Sequence, residues 1–159
     1  ERVLPDGDHV SFTGNEENGV VVKNTKWDKA ILSRPKIEIE KIDGNTGTAD
    51  YPLKHVIDGD DFSWWISNEE SFPQIITLML STEQHVYASR IRFQKDSSNY
   101  LHRVEISKDG VHWESLYERE CTGWDFKPVR VDKNLKYFRI TVSKVSEGRA
   151  GLAEVTLYK

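Results

Sequence analysis

The sequence contains a single cysteine, Cys121, and that scarcity removes two common supports. A lone thiol cannot form an internal disulfide, and without a Cys-x-x-Cys spacing it is neither a redox pair nor a zinc clip. No apolar run approaches the roughly 18 to 20 residues of a membrane-spanning helix. Positive charge is not in excess. Lys and Arg number 22 against 26 Asp and Glu, a net charge of −4, so nucleic acid is not an expected partner. Catalytic signatures are missing as well: there is no Gly-x-Ser-x-Gly, His-Glu-x-x-His, phosphate-binding Gly-rich loop or Gly-x-Gly-x-x-Gly. The chain opens on Glu1-Arg2 rather than on a signal peptide, and any export signal is expected to have been removed or to lie outside this sequence.

What is present is packing material. Six Phe, five Trp and six Tyr in 159 residues, with 37% hydrophobic content, are too many for a disordered chain despite 30% charge. No 3.6-residue apolar stripe is sustained, whereas period-2 alternation dominates from residue 36 onward, so the expected fold class is all-β. Strands are expected over 36–42, 74–80, 86–94, 102–107, 111–117, 127–132, 136–143 and 152–158. Eight short strands at this spacing favour a sandwich or jelly roll. Asp109-Gly110 is the strongest hairpin signal, because a tight turn needs residues that tolerate positive φ. If consecutive strands reverse there, the segments 95–100, 121–126 and 145–151 all emerge at the opposite end and share one rim. Residues 1–34 read differently: Val10, Phe12, Val20 and Val22 flank the polar turn Asn15–Gly19, and Lys23–Pro35 lacks alternation. A hairpin and a linker are expected, ahead of a sandwich over 35–159.

From about residue 36 the chain resembles the factor V/VIII type C, or discoidin-like, fold, especially its bacterial branch in carbohydrate-binding module family 32. The residues that carry the likeness are His55-Val-Ile-Asp58-Gly59-Asp60-Asp61-Phe-Ser63-Trp-Trp65, then Val104-Glu-Ile-Ser-Lys-Asp-Gly-Val-His-Trp113, Lys136-Tyr-Phe-Arg-Ile-Thr-Val142 and Leu152-Ala-Glu154-Val-Thr-Leu157. They occur in family order at family spacing. Two features depart from animal members: the cysteine pair is missing, and there is no Asn-x-Ser/Thr acceptor. A bacterial protein, secreted, periplasmic or at the cell surface, is therefore expected. The galactose-binding pattern is also incomplete, since the loop Lys95–Tyr100 keeps an Asn without the Arg and Ser146–Ala150 has no aromatic.

The resemblance implies a structural calcium ion. Its ligands would be the side chains of Asp58 and Glu154 and backbone oxygens of His55, Asp60, Ser63 and Ala153, with the Ser63 hydroxyl optional. Hard oxygen donors in an acidic turn suit a cation of that size, although such a turn can also stand simply solvated. Trp64 and Trp65 point to opposite faces of a strand; the family pattern makes Trp65 the core residue and leaves Trp64 as a ligand candidate. Trp113 and Trp27 read as packing aromatics.

A sugar presents C–H faces and hydroxyl edges, so its site needs an aromatic platform beside planar polar groups. On the expected rim Trp124 and Tyr100 would supply the platform. Asn99, Asp96, Lys95, Arg149 and Asn68 would supply the polar groups, and the family likeness adds Tyr51. The competing reading is that Trp124 folds back to cover the sandwich end. The adjacent pairs Glu69/Glu70 and Asp60/Asp61 cannot easily flank a scissile glycosidic bond at the ~5 to 9 Å carboxylate separation that hydrolysis uses, so no catalysis is expected. The leading expectation is a non-catalytic module that binds a glycan and is covalently joined to a glycoside hydrolase or surface protein. The alternatives are a discoidin-like adhesion domain and a purely structural accessory domain. Insertion into a membrane is not expected, because the loop Asp43–Tyr51 offers Tyr51 as its only large apolar group.

Overall fold

The structure is a computed structural model that describes residues 2–3, 9–10 and 25–159 apart from 46, 61, 69, 96, 124 and 126. The chain divides into two compact units, Glu1–Pro35 and Lys36–Lys159. In the first, β1 (Arg2–Val3) pairs antiparallel with β2 (His9–Val10). The expected turn at Asn15–Gly19, with Phe12, Val20 and Val22, lies outside the described residues. The expected linker over Lys23–Pro35 is corrected by α1, Thr25–Leu32, which contains Trp27. Lys, Ala, Ile and Leu without Gly or Pro sustain this helix, and Pro35 prevents its continuation. Missing alternation therefore marked a helix and not an unstructured link.

The second unit is all-β. It comprises β3 (Lys41–Gly44), a 3-10 turn at Leu53–Ile57, β4 (Trp65–Ile66), β5 (Gln74–Phe93), β6 (Asn99–Ser107), β7 (Glu114–Thr122), β8 (Val129–Val145) and β9 (Gly151–Tyr158). Seven strands form one antiparallel sheet in the order β4-β9-β5-β8-β6-β7, with β3 added on β5. Two pairs of expected strands are fused. The segments 74–80 and 86–94 belong to β5, and 127–132 and 136–143 belong to β8. Neither 81–85 nor 133–135 contains Gly or Pro to end pairing, so the polar tips stay in strand. The bend falls at a register shift between Met79 and Gln84. The expected strand 36–42 shrinks to Lys41–Gly44, although Lys36 bridges Tyr158 and the Ile37 N–H donates to the Leu157 carbonyl at 2.8 Å.

Because β5 and β8 bend, each contributes to both layers of a β-sandwich. Ile76, Leu78 and Leu80 from one half of β5 share a core with Val86, Ile91 and Phe93 from the other. Leu135, Phe138, Ile140 and Val142 of β8 and Leu152, Val155 and Leu157 of β9 complete it. Their period-2 spacing puts alternate side chains on the inner face. Cys121 lies in β7, not in a loop as the sequence suggested, and is buried. Burial pushes its thiol up to about 11, with Arg119 opposing the shift, so the sulfur stays protonated and unreactive at neutral pH.

Candidate functional site

Strand register gathers five loop segments at one end. Tyr100 at the start of β6 pairs with Cys121 at the end of β7 and with Val145 at the end of β8. The three loops that follow from this are then tied directly. The Ser146 N–H donates to the Asn99 carbonyl, the Asn99 N–H donates to Ser146 Oγ, and the Gly123 N–H donates to the Ser98 carbonyl. Two further loops join through Gly47 bridging Ser67, the Thr48 N–H on the Ile66 carbonyl and the Ser67 N–H on the Ala150 carbonyl. Asn45 completes the rim by accepting the Ile75 N–H at 2.6 Å.

The candidate ligand residues separate on this rim. Lys95 is exposed, with Nζ 3.1 Å from Glu147 Oε1. Asn68, Arg149 and Tyr51 are exposed, and Asn99 is half-buried. Trp64 is half-buried, and its carbonyl accepts a hydrogen bond from His55 Nδ1 at 3.0 Å. Trp124 and Asp96 lie outside the described residues. Tyr100 must be withdrawn as a platform. Its ring is fully buried, stacked on Phe93 with centroids 4.3 Å apart, and its hydroxyl accepts the Lys95 N–H at 3.0 Å. A side chain with no accessible face cannot receive a sugar, so Tyr100 supports the rim from below. Two large apolar side chains that the sequence reading passed over are exposed here instead, Phe72 at 36% and Ile75 at 38%.

Beneath the loops, His102 is buried between the rings of Phe93 and Tyr117, 4.8 and 5.9 Å away by centroid. Its Nδ1 lies 3.2 Å from the Tyr100 carbonyl, which can only accept, so the proton sits on Nδ1. Burial lowers the His102 pKa to about 4 and raises the Tyr117 phenol to about 12.

Beside the rim, the acidic turn is organised around its own carboxylates. Asp58 Oδ1 accepts the Asp60 N–H at 2.9 Å, and Oδ2 accepts the Ser63 hydroxyl. Asp60 Oδ1 accepts the Phe62 N–H at 2.8 Å. Glu154, buried on β9 next to the equally buried Ala153, receives the Gly59 N–H at 3.2 Å on both carboxylate oxygens. Gly59 adopts φ +80°, a conformation that disfavours any side chain. Among the described residues, no three His, Cys, Asp or Glu side chains converge on one point. The donors expected from the sequence, the Asp58 and Glu154 carboxylates and the Ser63 hydroxyl among them, are oxygen only, chemistry that suits a calcium-sized cation.

The family model for the NedA-like, galactose-binding domain of F5/8 type C matches residues 55–140, more than half of the chain. The chain belongs to that F5/8 type C family. Its fold also matches solved carbohydrate-binding modules. One is the family 32 module of AlyQ in complex with 4,5-unsaturated mannuronic acid, at TM-score 0.67 and 17% identity over 78% of this chain and 98% of that one. Another is CpGH89CBM32-4, produced by Clostridium perfringens, in complex with GlcNAc-α-1,4-galactose, at TM-score 0.64 and 20% identity over 80% and 96%. Truncated AlyQ, which joins such a module to an alginate lyase domain, matches at TM-score 0.68 and 17% identity over 79% of this chain and 33% of that one. No curated protein matches the sequence. At these identities the likeness is one of fold. The F5/8 type C assignment covers the acidic turn, β4 to β7 and most of β8, while the last rim loop and Glu154 lie beyond the matched span.

Proposed function

We propose that this chain is a non-catalytic carbohydrate-binding module of a secreted bacterial glycan-active protein, holding a glycan on the loop rim. The observation that carries the reading is the meeting of five loops at one end of the sandwich, on which Tyr51, Phe72, Asn68, Lys95 and Arg149 are exposed. These groups offer C–H-binding faces and hydrogen-bonding edges on a rigid sheet. Trp124 and Asn99 belong to the same proposed site by their place in the sequence. Joined to a catalytic domain, the module would raise the local concentration of that domain on its substrate.

A glycan array followed by calorimetry tests the reading. Phe72→Ala and Trp124→Ala are each expected to weaken binding of an array hit by about 1 kcal/mol, with little change in melting temperature for Phe72→Ala. Full affinity in both variants, or an array without a hit, would overturn it.

Calcium is proposed at the acidic turn, held by Asp58 and Glu154 with the His55, Asp60, Ser63 and Ala153 carbonyls. It would neutralise the two carboxylates and fasten the turn to β9. A ligand that binds only the folded state at 100 times its Kd adds about 2.7 kcal/mol. Chelation is therefore expected to lower the melting temperature, and Glu154→Gln to abolish the difference between metal-loaded and chelated protein. An unchanged melting temperature after metal loss verified by elemental analysis would refute this site.

A further inference from the structure

The end of the sandwich opposite the rim carries a second feature. There the loop 108–113 between β6 and β7 and the tip of β8 at Asn134 border a cleft of about 310 Å³. Trp113, His112, Asp109, Lys108, Glu114 and Asn134 line it. We propose that this cleft is a second saccharide-binding site, distinct from the rim, which takes one neutral sugar ring against the indole of Trp113.

Three observations carry the inference. First, Trp113 is held as a platform. The Arg139 guanidinium lies 3.8 Å from its ring centroid, and that guanidinium is in turn fixed by two bonds to Glu105 Oε1 at 3.1 and 2.9 Å. The Tyr137 ring meets the indole edge-on at 6.3 Å. Trp113 lines the cleft, whereas Arg139 and Tyr137, which hold it, do not.

Second, the loop is preorganised. Asp109 Oδ1 accepts the N–H groups of Val111 and His112, each at 2.8 Å, and Ser107 Oγ accepts those of Asp109 and Gly110. Asp109 Oδ2 holds His112 Nδ1 at 2.7 Å, which leaves Nε2 of an exposed imidazole directed away from that partner. Rigid support of this kind lowers the ordering cost of binding.

Third, the charges select the ligand class. Lys108 reaches Glu83 at 3.9 Å and Glu114 reaches Lys133 at 2.9 Å, so cations and anions alternate around the cleft and neither a phosphate nor a polycation is favoured. His112 Nε2 and the exposed Asn134 amide supply hydrogen-bonding groups for hydroxyls. An indole with such groups in a cleft of this volume suits a single ring.

The test is chemical-shift mapping of the 15N-labelled protein titrated separately with galactose, glucose and N-acetylglucosamine. At least one sugar is expected to shift the Trp113 indole N–H and the 108–114 amides saturably, with a binding curve independent of any response at 95–99 and 146–150. Trp113→Ala should weaken that response about tenfold. Asn134→Ala, an exposed position that the fold does not need, should weaken it measurably while the remaining spectrum is unchanged. No saturable shift at 108–114 with any of the three sugars overturns the proposal, as does a response that survives both variants. Loss of the rim response alone bears only on the rim.

Discussion

Trp65→Ala is expected to cost roughly 3–5 kcal/mol, the range for deleting a large buried aromatic, and to lower the melting temperature by roughly 10–20 °C. Trp65 has no accessible surface and sits in β4, paired with Leu152 of β9. Its neighbourhood leaves no slack on the rim side. A Cβ on Gly47 would stand 2.6 Å from Trp65 Cδ1 and 2.5 Å from the Tyr51 carbonyl oxygen. The loop around 47–51 is thus shaped on the indole, and the cavity left by alanine cannot be refilled without moving that loop. Glycan binding should fall together with stability, in contrast to Phe72→Ala. Differential scanning calorimetry decides the matter: a shift below roughly 3 °C would mean that the loop collapses onto the cavity without loss.

Acid is expected to destabilise the domain through His102. Its folded pKa is depressed from 6.5 to about 4 by burial, so between those values the unfolded chain binds the proton and the folded chain does not. Stability therefore rises with pH across this window and is lost as pH falls, by up to about 3 kcal/mol once pH is below 4. Urea denaturation at a series of pH values measures the slope. His102→Phe, which retains ring packing against Phe93 and Tyr117 but cannot titrate, should flatten the window after carboxylate titration common to both proteins is subtracted. Parallel curves for the two proteins would remove His102 as the cause. Because the buried stack of Phe93, Tyr100 and His102 lies under the start of the Lys95 loop, rim binding should hold across this window and weaken only as pH falls through about 4, where the folded imidazole takes the proton.

The layout of the sandwich was readable because β structure writes itself as alternation. Tyr100, His102, Val104 and Ile106 fall on one face of β6 and all are buried. That same pattern argues for burial of Tyr100, against the rim position that its neighbouring loop suggests. Fusion of strands in β5 and β8 was not readable, since polar residues at a bend resemble a loop unless glycine or proline marks it. Phe72 escaped notice because it precedes Pro73, outside any periodic segment, and nothing local distinguishes an exposed aromatic from a strand-end anchor. The contact of the acidic turn with Glu154, through the Gly59 N–H 95 positions earlier, could be drawn only from family likeness. Local chemistry identifies an acidic turn, and topology alone supplies its partner.

The bridge between Lys36 and Tyr158 also bears on how force would pass through the molecule. Chain entering the sandwich at 36 and leaving at 159 does so at one place, about 23 Å along β9 from the rim at 3.3 Å per residue. Within the sandwich both of its ends thereby lie away from the rim, and each can serve as an attachment. Tension between the two attachments would pull the first and last segments sideways off each other, opening their hydrogen bonds one after another like a zip. A load applied between the rim and the termini would instead run along β9 and β5, where six residue pairs from Ala88 to Phe93 share it in parallel. A tether anchored to a glycan on the rim would therefore resist pulling far better than its own two ends resist separation.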